Sequence, residues 1–175
     1  TNYMNASISY TSTINKYALT LNGTNQYGAL SSASYYNYTI GTIECWMKAS
    51  TVTGNRGILS KNQGITGGSY QGLFIVNNKL ACFVTDFIDT GVIITDNVWH
   101  HVAVVFASDS LRKLYINGVL QGQNTVSAPS AYFSTASLGC YGAVGASEAG
   151  TRFVGDLDEV TLHRRALTDT EVAHL

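Results

Sequence analysis

The residues best equipped for chemistry in this 175-residue chain lie in one short run near its end, Asp156-Leu157-Asp158-Glu159, its only local cluster of carboxylates. In an extended segment alternate side chains share a face, so Asp156 and Asp158 point one way and Glu159 the other. Two carboxyls on one strand face can lie about 5 to 5.5 Å apart, the separation that retaining glycoside hydrolysis requires. The same oxygens suit a hard cation such as calcium, or simply the amides of a nearby turn, with Glu159 paired to Arg164 or Arg165. His100 and His101 are adjacent, but strand neighbours face opposite ways and cannot chelate one ion together. His163 and His174 are isolated, and all four histidines are read as structural. Gly64 to Gly72 lacks the Lys-Ser/Thr pair of a phosphate loop, and no nucleophile-elbow pattern occurs. What remains is aromatic and amide chemistry: Tyr35, Tyr36 and Tyr38 crowd together, and Tyr70, Asn77 and Tyr141 stand in glycine- and asparagine-rich stretches. Tyrosine rings either cap a sheet edge or stack on a ligand, and amides satisfy hydroxyl groups.

The elements that must position these groups are strands. Trp99 to Phe106 is short, β-branched and apolar on both alternating faces, which predicts a strand in the middle of a sheet. Leu114 to Ile116 enters Asn117-Gly118 and leaves through Val119, the strongest short-range hairpin signal. Ile43, Cys45 and Met47 alternate with Glu44, Trp46 and Lys48, and the tryptophan on that polar face needs cover. Leu19 and Leu21 before Asn22-Gly23-Thr24-Asn25 predict a first hairpin, and Asn77-Asn78 predicts another between Leu73–Val76 and Leu80–Val84. Phe87 to Ile94, a strand beginning at Leu138, and Phe153 to Leu162 follow. Thr168 with Glu171 three residues later is a capping box, predicting one short C-terminal helix. Strands at short intervals with almost no helical period give an all-β, two-sheet antiparallel sandwich.

Composition narrows the function classes. Charged residues are 12% of the chain and its formal net charge is -1, so no electrostatic footprint for nucleic acid is present. No apolar run approaches the roughly 20 residues of a spanning helix, and no membrane insertion is expected. The three cysteines, Cys45, Cys82 and Cys140, are far apart and exclude a dense disulfide framework; Cys45 and Cys82 read as small buried hydrophobes. A surface of Ser, Thr, Asn, Gln and Tyr leans toward an extracellular, cell-surface or virion-surface setting. The start at Thr1 points to a processed protein or a domain of a larger multidomain or fibrous one.

Taken in order, Ala18-Leu19-Thr20-Leu21-Asn22-Gly23 with Tyr27, Thr42 to Lys48, Ile58-Leu59-Ser60-Lys61, Trp99-His100-His101-Val102-Ala103-Val104, Leu114-Tyr115-Ile116-Asn117-Gly118, and Phe153 to Val160 running into Arg165-Ala166-Leu167 resemble one family. It is the laminin G-like, concanavalin A-like lectin/glucanase superfamily, in the branch near the pentraxins. The resemblance implies a jelly roll of two curved antiparallel sheets over residues 17–175, with 1–16 as a lead-in strand or linker. The superfamily's β-glucanases carry Glu-x-Asp-x-(x)-Glu; here Glu159 points away from Asp156 and Asp158 and no carboxylate follows at 160 to 162, a departure that argues against hydrolysis. The resemblance also implies a structural calcium between the acidic residue of the last strand and the first turn, at positions matching Asp158 and Asn22. Asn22 stands where the family usually has Asp, which removes one negative charge and weakens such a site.

The functional expectation is therefore a non-catalytic, calcium-stabilised, carbohydrate-recognising module, with Tyr35, Tyr36, Tyr38, Tyr70, Asn77 and Tyr141 as glycan contacts. The alternative is a structural or adhesive domain of a larger surface or fibre protein that contacts an extracellular protein. A glycoside hydrolase of the same fold comes third.

Overall fold

The computed structural model describes residues 3–4, 17–30, 37–62, 70–83, 87–125, 133, 135–141 and 151–175. Its strands are β1 (Tyr3–Met4), β2 (Leu19–Asn22), β3 (Gly28–Leu30), β4 (Gly41–Ala49), β5 (Asn55–Asn62), β6 (Tyr70–Val76), β7 (Lys79–Phe83), β8 (Phe87–Ile93), β9 (His100–Phe106), β10 (Leu111–Ile116), β11 (Val119–Thr125), β12 (Thr135–Leu138) and β13 (Val154–His163). They form a seven-stranded sheet, β1-β3-β12-β5-β6-β7-β8, and a six-stranded sheet, β11-β10-β9-β4-β13-β2. Every pairing between these strands is antiparallel. One short helix, α1 (Asp169–Val172), closes the chain. The predicted antiparallel sandwich is the observed architecture. Tyr3 and Met4 of the expected lead-in pair with β3, and residues 5–16 lie outside the described residues.

The core forms where the two sheets face each other. Ile43, Cys45 and Met47 of β4 meet Leu73 and Ile75 of β6 and Leu80 and Cys82 of β7 in a single buried cluster. β9 lies between β4 and β10, which explains why it is apolar on both sides. Val102, Val104 and Phe106 face the core, while Ala103 and Val105 pack outward with Tyr115 beneath Leu167 and Val172 of the C-terminal segment. Two hairpins match the sequence closely. Asn117 and Gly118 have φ of 51° and 74°, and Asn77 and Asn78 have φ of 48° and 70°, the left-handed values a tight two-residue hairpin turn needs.

Two expectations are corrected. β2 and β3 are not a hairpin, because they belong to different sheets. The Asn22 side-chain oxygen accepts from the amides of Thr24, Asn25 and Gln26, and this tight Asx-type turn carries the chain across the sandwich instead of folding it back. Likewise Leu138 ends β12 rather than opening a strand, since Gly139 turns the chain with φ of 74°.

The capping box is present: Thr168 Oγ1 accepts from the Glu171 amide at 3.2 Å, and the Glu171 carboxylate accepts from the Thr168 amide at 2.8 Å. Arg165, expected opposite Glu159, instead grips Glu171 with two bonds of 2.8 and 2.7 Å. Thr168→Ala is expected to lower unfolding free energy by about 1 kcal/mol, read from urea denaturation, because one helix amide loses its acceptor.

The interior holds a charged group. Lys61 is 0% exposed. Its Nζ donates to the Tyr38 carbonyl at 2.6 Å and lies 3.8 Å from the centre of the Tyr38 ring and 4.6 Å from that of Phe133. Gln71 Nε2 donates to the neighbouring Thr39 carbonyl at 3.1 Å, so two side chains from the seven-stranded sheet fasten the entry to β4. Burial pushes the Lys61 amine down to about 7.

Candidate functional site

The carboxylates of Asp156 and Asp158 on β13 are committed locally. Asp156 accepts from Thr20 Oγ1 at 2.7 Å and lies 3.9 Å from Lys48 Nζ. Asp158 accepts from the Glu159 amide at 2.8 Å, the turn-amide reading, and Glu159 takes φ of 49° at a bulge between Asp158 and Thr161. Asn22 and Asp158 do not fit one shared cation. Asn22 pairs with Val154, four residues before Asp158 and so about 13 Å away along the strand, and the Asn22 oxygen is already taken by turn amides. Among the described residues no cluster of His, Cys, Asp and Glu has metal-binding geometry.

His100 and His101 point to opposite faces, as the alternation requires. On the outer face of the six-stranded sheet the Glu44 carboxylate accepts from His101 Nε2 at 2.9 Å and from His163 Nε2 at 2.8 Å. The ring of Trp46 lies 5.5 Å from that of His101, which supplies the cover this tryptophan needed. Both His Nε2 atoms are thus committed to one carboxylate, while His101 Nδ1 is buried without a hydrogen-bond partner.

Of the expected glycan contacts, the described ones lie at several places in the fold. Tyr35 and Tyr36 lie outside the described residues. Tyr38 carries Lys61 on its ring, and its carbonyl takes the Lys61 hydrogen bond. Tyr70 opens β6 across from Asn62, while Asn77 forms the hairpin turn at the opposite end of β6. Tyr141 belongs to an aromatic group: its ring is 5.3 Å from that of Phe74 and 6.4 Å from that of Phe83.

That group marks the outer face of the seven-stranded sheet. Leu73 and Ile75 enter the core, so Phe74 between them points outward, and its ring leans over Gly72. Across the strands the next outward row is Ser137, Ser60, Gly72 and Phe83, followed by Thr135 and Asn62 in register. Asn62 Nδ2 donates to Ser137 Oγ at 3.0 Å, but Asn62 Oδ1 and Thr135 Oγ1 are buried without a hydrogen-bond partner. Such orphaned groups are uncommon in native folds. The face is thus polar on its β12–β5 half and aromatic on its β6–β7 half.

A glycine lets the chain cross this face. A Cβ at Gly57 would lie 2.1 Å from the Cys140 carbonyl carbon and 2.3 Å from the Tyr141 nitrogen. On the same residue, the Gly57 amide donates to the Thr151 carbonyl at 3.0 Å, and Gly57 forms a parallel bridge with Arg152. The Arg152 guanidinium carbon lies 4.8 Å from the centre of the Tyr27 ring. Tyr27, Arg152, Tyr141, Phe74 and Phe83 are therefore brought together by tertiary structure. Sequence reasoning had found only Tyr141; the one local hint of the others was the Arg-Phe run before the last strand.

The fold is an antiparallel two-sheet sandwich of the lectin-like kind, whose larger sheet carries aromatic and polar side chains, most of them buried, on the side away from the core. The chain belongs to the concanavalin A-like lectin/glucanases superfamily, whose family model matches residues 22–173. Its structure is similar to domain 4 of AbnA, an extracellular arabinanase from Geobacillus stearothermophilus, solved with arabinotriose; the TM-score is 0.76 at 21% identity over 99% of this chain and 86% of that one. It is similar to the CBM40 of the Ruminococcus gnavus IT-sialidase bound to alpha2,3 sialyllactose, with a TM-score of 0.70 at 18% identity over 91% and 95% of the two chains. A heptameric SAP-like pentraxin from Limulus polyphemus gives 0.62 at 17% identity over 83% of this chain and 70% of that one. Comparison with curated protein sequences returns no match.

Proposed function

We propose that this chain is a non-catalytic carbohydrate-binding module that receives glycan on the outer face of its seven-stranded sheet. The observation that carries this reading is the pairing on that face of the half-buried Phe83 and Tyr141 rings, both packed near the buried Phe74 and next to a buried polar row of Asn62, Ser60 and Ser137. Sugar rings present apolar C–H faces to aromatic side chains, a contact that the half-buried Phe83 and Tyr141 can make. The similarity to solved domains described with arabinotriose and with sialyllactose supports the reading, as does the local commitment of Asp156 and Asp158. An extracellular setting within a larger protein accords with the sugar-binding role.

A glycan-array screen of the purified domain, run with calcium and again with chelator, tests the proposal. Saturable binding to a defined sugar class is expected, and Tyr141→Ala should weaken it about tenfold, the worth of one well-stacked ring. Loss of binding under chelator would assign calcium a supporting role. An array silent in both conditions would sink the reading. It would favour protein contact instead, for which one corner offers the exposed apolar side chains Val92 and Ile93 of β8 and Val119 and Leu120 of β11. These two edge strands lie side by side where Gly122 meets the Thr90 backbone, with 3.2 Å between a Cβ there and the Thr90 Cα.

A further inference from the structure

We propose that Arg152 anchors a carboxylate, so that the glycan taken by the outer face is an acidic one; this rests on the carbohydrate-binding reading. Four other cations in the described residues have carboxylate partners, Lys48 with Asp156, Lys79 with Asp89, Lys113 with Asp169 and Arg165 with Glu171, while the exposed Arg164 has none. Arg152 has none among the described residues. Its Nη1 is buried and lacks any hydrogen-bond partner, a charged donor withdrawn from water without compensation.

The surrounding structure holds this cation in position. The Arg152 carbonyl accepts from Arg56 Nη1 at 3.3 Å. On one side the Thr151 carbonyl receives the Gly57 amide, and on the other the Phe153 amide donates to the Gly139 carbonyl at 3.0 Å while its ring is fully buried. The backbone is thus pinned at both neighbours of Arg152. Tyr27 supports the guanidinium carbon, and stacking of this kind leaves the in-plane N–H edge available for a planar anion. A carboxylate matches that edge with two parallel, charge-assisted hydrogen bonds. Gly57 is bridged to Arg152 and lies against the Tyr141 backbone, so the chain segments that carry the aromatic group and the cation are neighbours, and in the proposed complex a sugar ring on the first directs its acid group toward Arg152. The two chemical sources of such a group are hexuronic acids and sialic acids.

The test is calorimetric titration of the whole chain with digalacturonic acid, the methyl ester of the same disaccharide, 3′-sialyllactose and lactose. At least one acidic glycan is expected to bind about tenfold or more tightly than its uncharged counterpart, the range for a hydrogen bond to a charged group. Whichever acid binds identifies the source. Arg152→Gln should erase the preference, bringing the affinity for the acid down to that for its uncharged counterpart, and Arg152→Lys should retain part of it. Equal affinity for acid and ester, and for sialyllactose and lactose, overturns the inference while leaving the carbohydrate-binding reading standing. A preference that survives in a folded Arg152→Gln overturns it too. If that variant does not fold, the acid-to-ester comparison on the natural sequence decides alone. Silence toward all four glycans overturns the inference; only a silent array as well removes the broader reading.

Discussion

Gly57→Ala is expected to destabilise the domain by about 3 kcal/mol, the upper end of the cost of overpacking, and to abolish glycan binding on the outer face. The added methyl would enter a space where the Cys140 carbonyl carbon and oxygen and the Tyr141 nitrogen stand 2.1 to 2.3 Å away. These are backbone atoms, which cannot rotate aside as a side chain can. The crossing segment must therefore lift, taking Tyr141 off Phe74 and pulling on the bridge that places Arg152. Gly54→Ala supplies the control. Its φ of 71° disfavours alanine, but no atom lies within 4 Å of the added Cβ, so backbone strain of about 1–2 kcal/mol is the whole effect and binding persists. Urea denaturation with a binding titration on both variants checks the contrast. Equal costs and equal binding would mean that the crossing segment moves freely.

Lys61→Met is expected to raise stability at pH 7 by about 2 kcal/mol, within the range found when hydrophobic residues replace buried charges. The sign follows from linkage. The amine sits near 7 in the folded chain and near its ordinary value of roughly 10.4 when unfolded. Between these values the unfolded chain binds the additional proton, so stability rises with pH across that window. Below about 7 both states carry the proton and the penalty is at its full, constant size; above about 10.4 neither does and it vanishes. Methionine fills much of the same volume and carries no proton, so the variant loses this rise. The Tyr38 carbonyl forfeits its donor in the exchange, which keeps the gain well below the full cost of burying a charge. Denaturation at pH 7 and pH 9.5 distinguishes the two chains. If the variant is less stable at pH 7, the hydrogen bond and ring contacts outweigh desolvation.

The parts legible in the sequence were those written by local rules. Alternation placed Ile43, Cys45 and Met47 inside with Trp46 outside, the two asparagine turns fixed the hairpins, and Thr168 with Glu171 wrote the helix start. What escaped depended on contacts distant along the chain. Counting by twos from the buried Ile58 puts Lys61 on the outside. The register shift between Gly57 and Leu59 instead turns both Ile58 and Leu59 inward, and Lys61 follows the new parity into the core. Asn22 reads as half of a hairpin because a turn rich in Asn and Gly looks the same whether the chain folds back or crosses to another sheet. Arg152 and Tyr27 are 125 positions apart, and no pattern of spacing joins them. Among the glycan contacts expected from the sequence, Tyr141 packs with Phe74 and Phe83, partners that no spacing along the chain indicates.

The three free thiols give the chain an internal clock. Cys45, Cys82 and Cys140 are all buried and unpaired, and burial pushes each thiol upward, Cys82 to about 12. Nucleophilic attack on an alkylating reagent requires a thiolate that is both formed and reachable, and the folded domain denies both. Modification at Cys45 and Cys82, on the facing sheets of the core, therefore proceeds at the frequency with which the sandwich opens. A reagent added to the native protein times that opening without any engineered probe, and a ligand that fastens the outer face lengthens the interval.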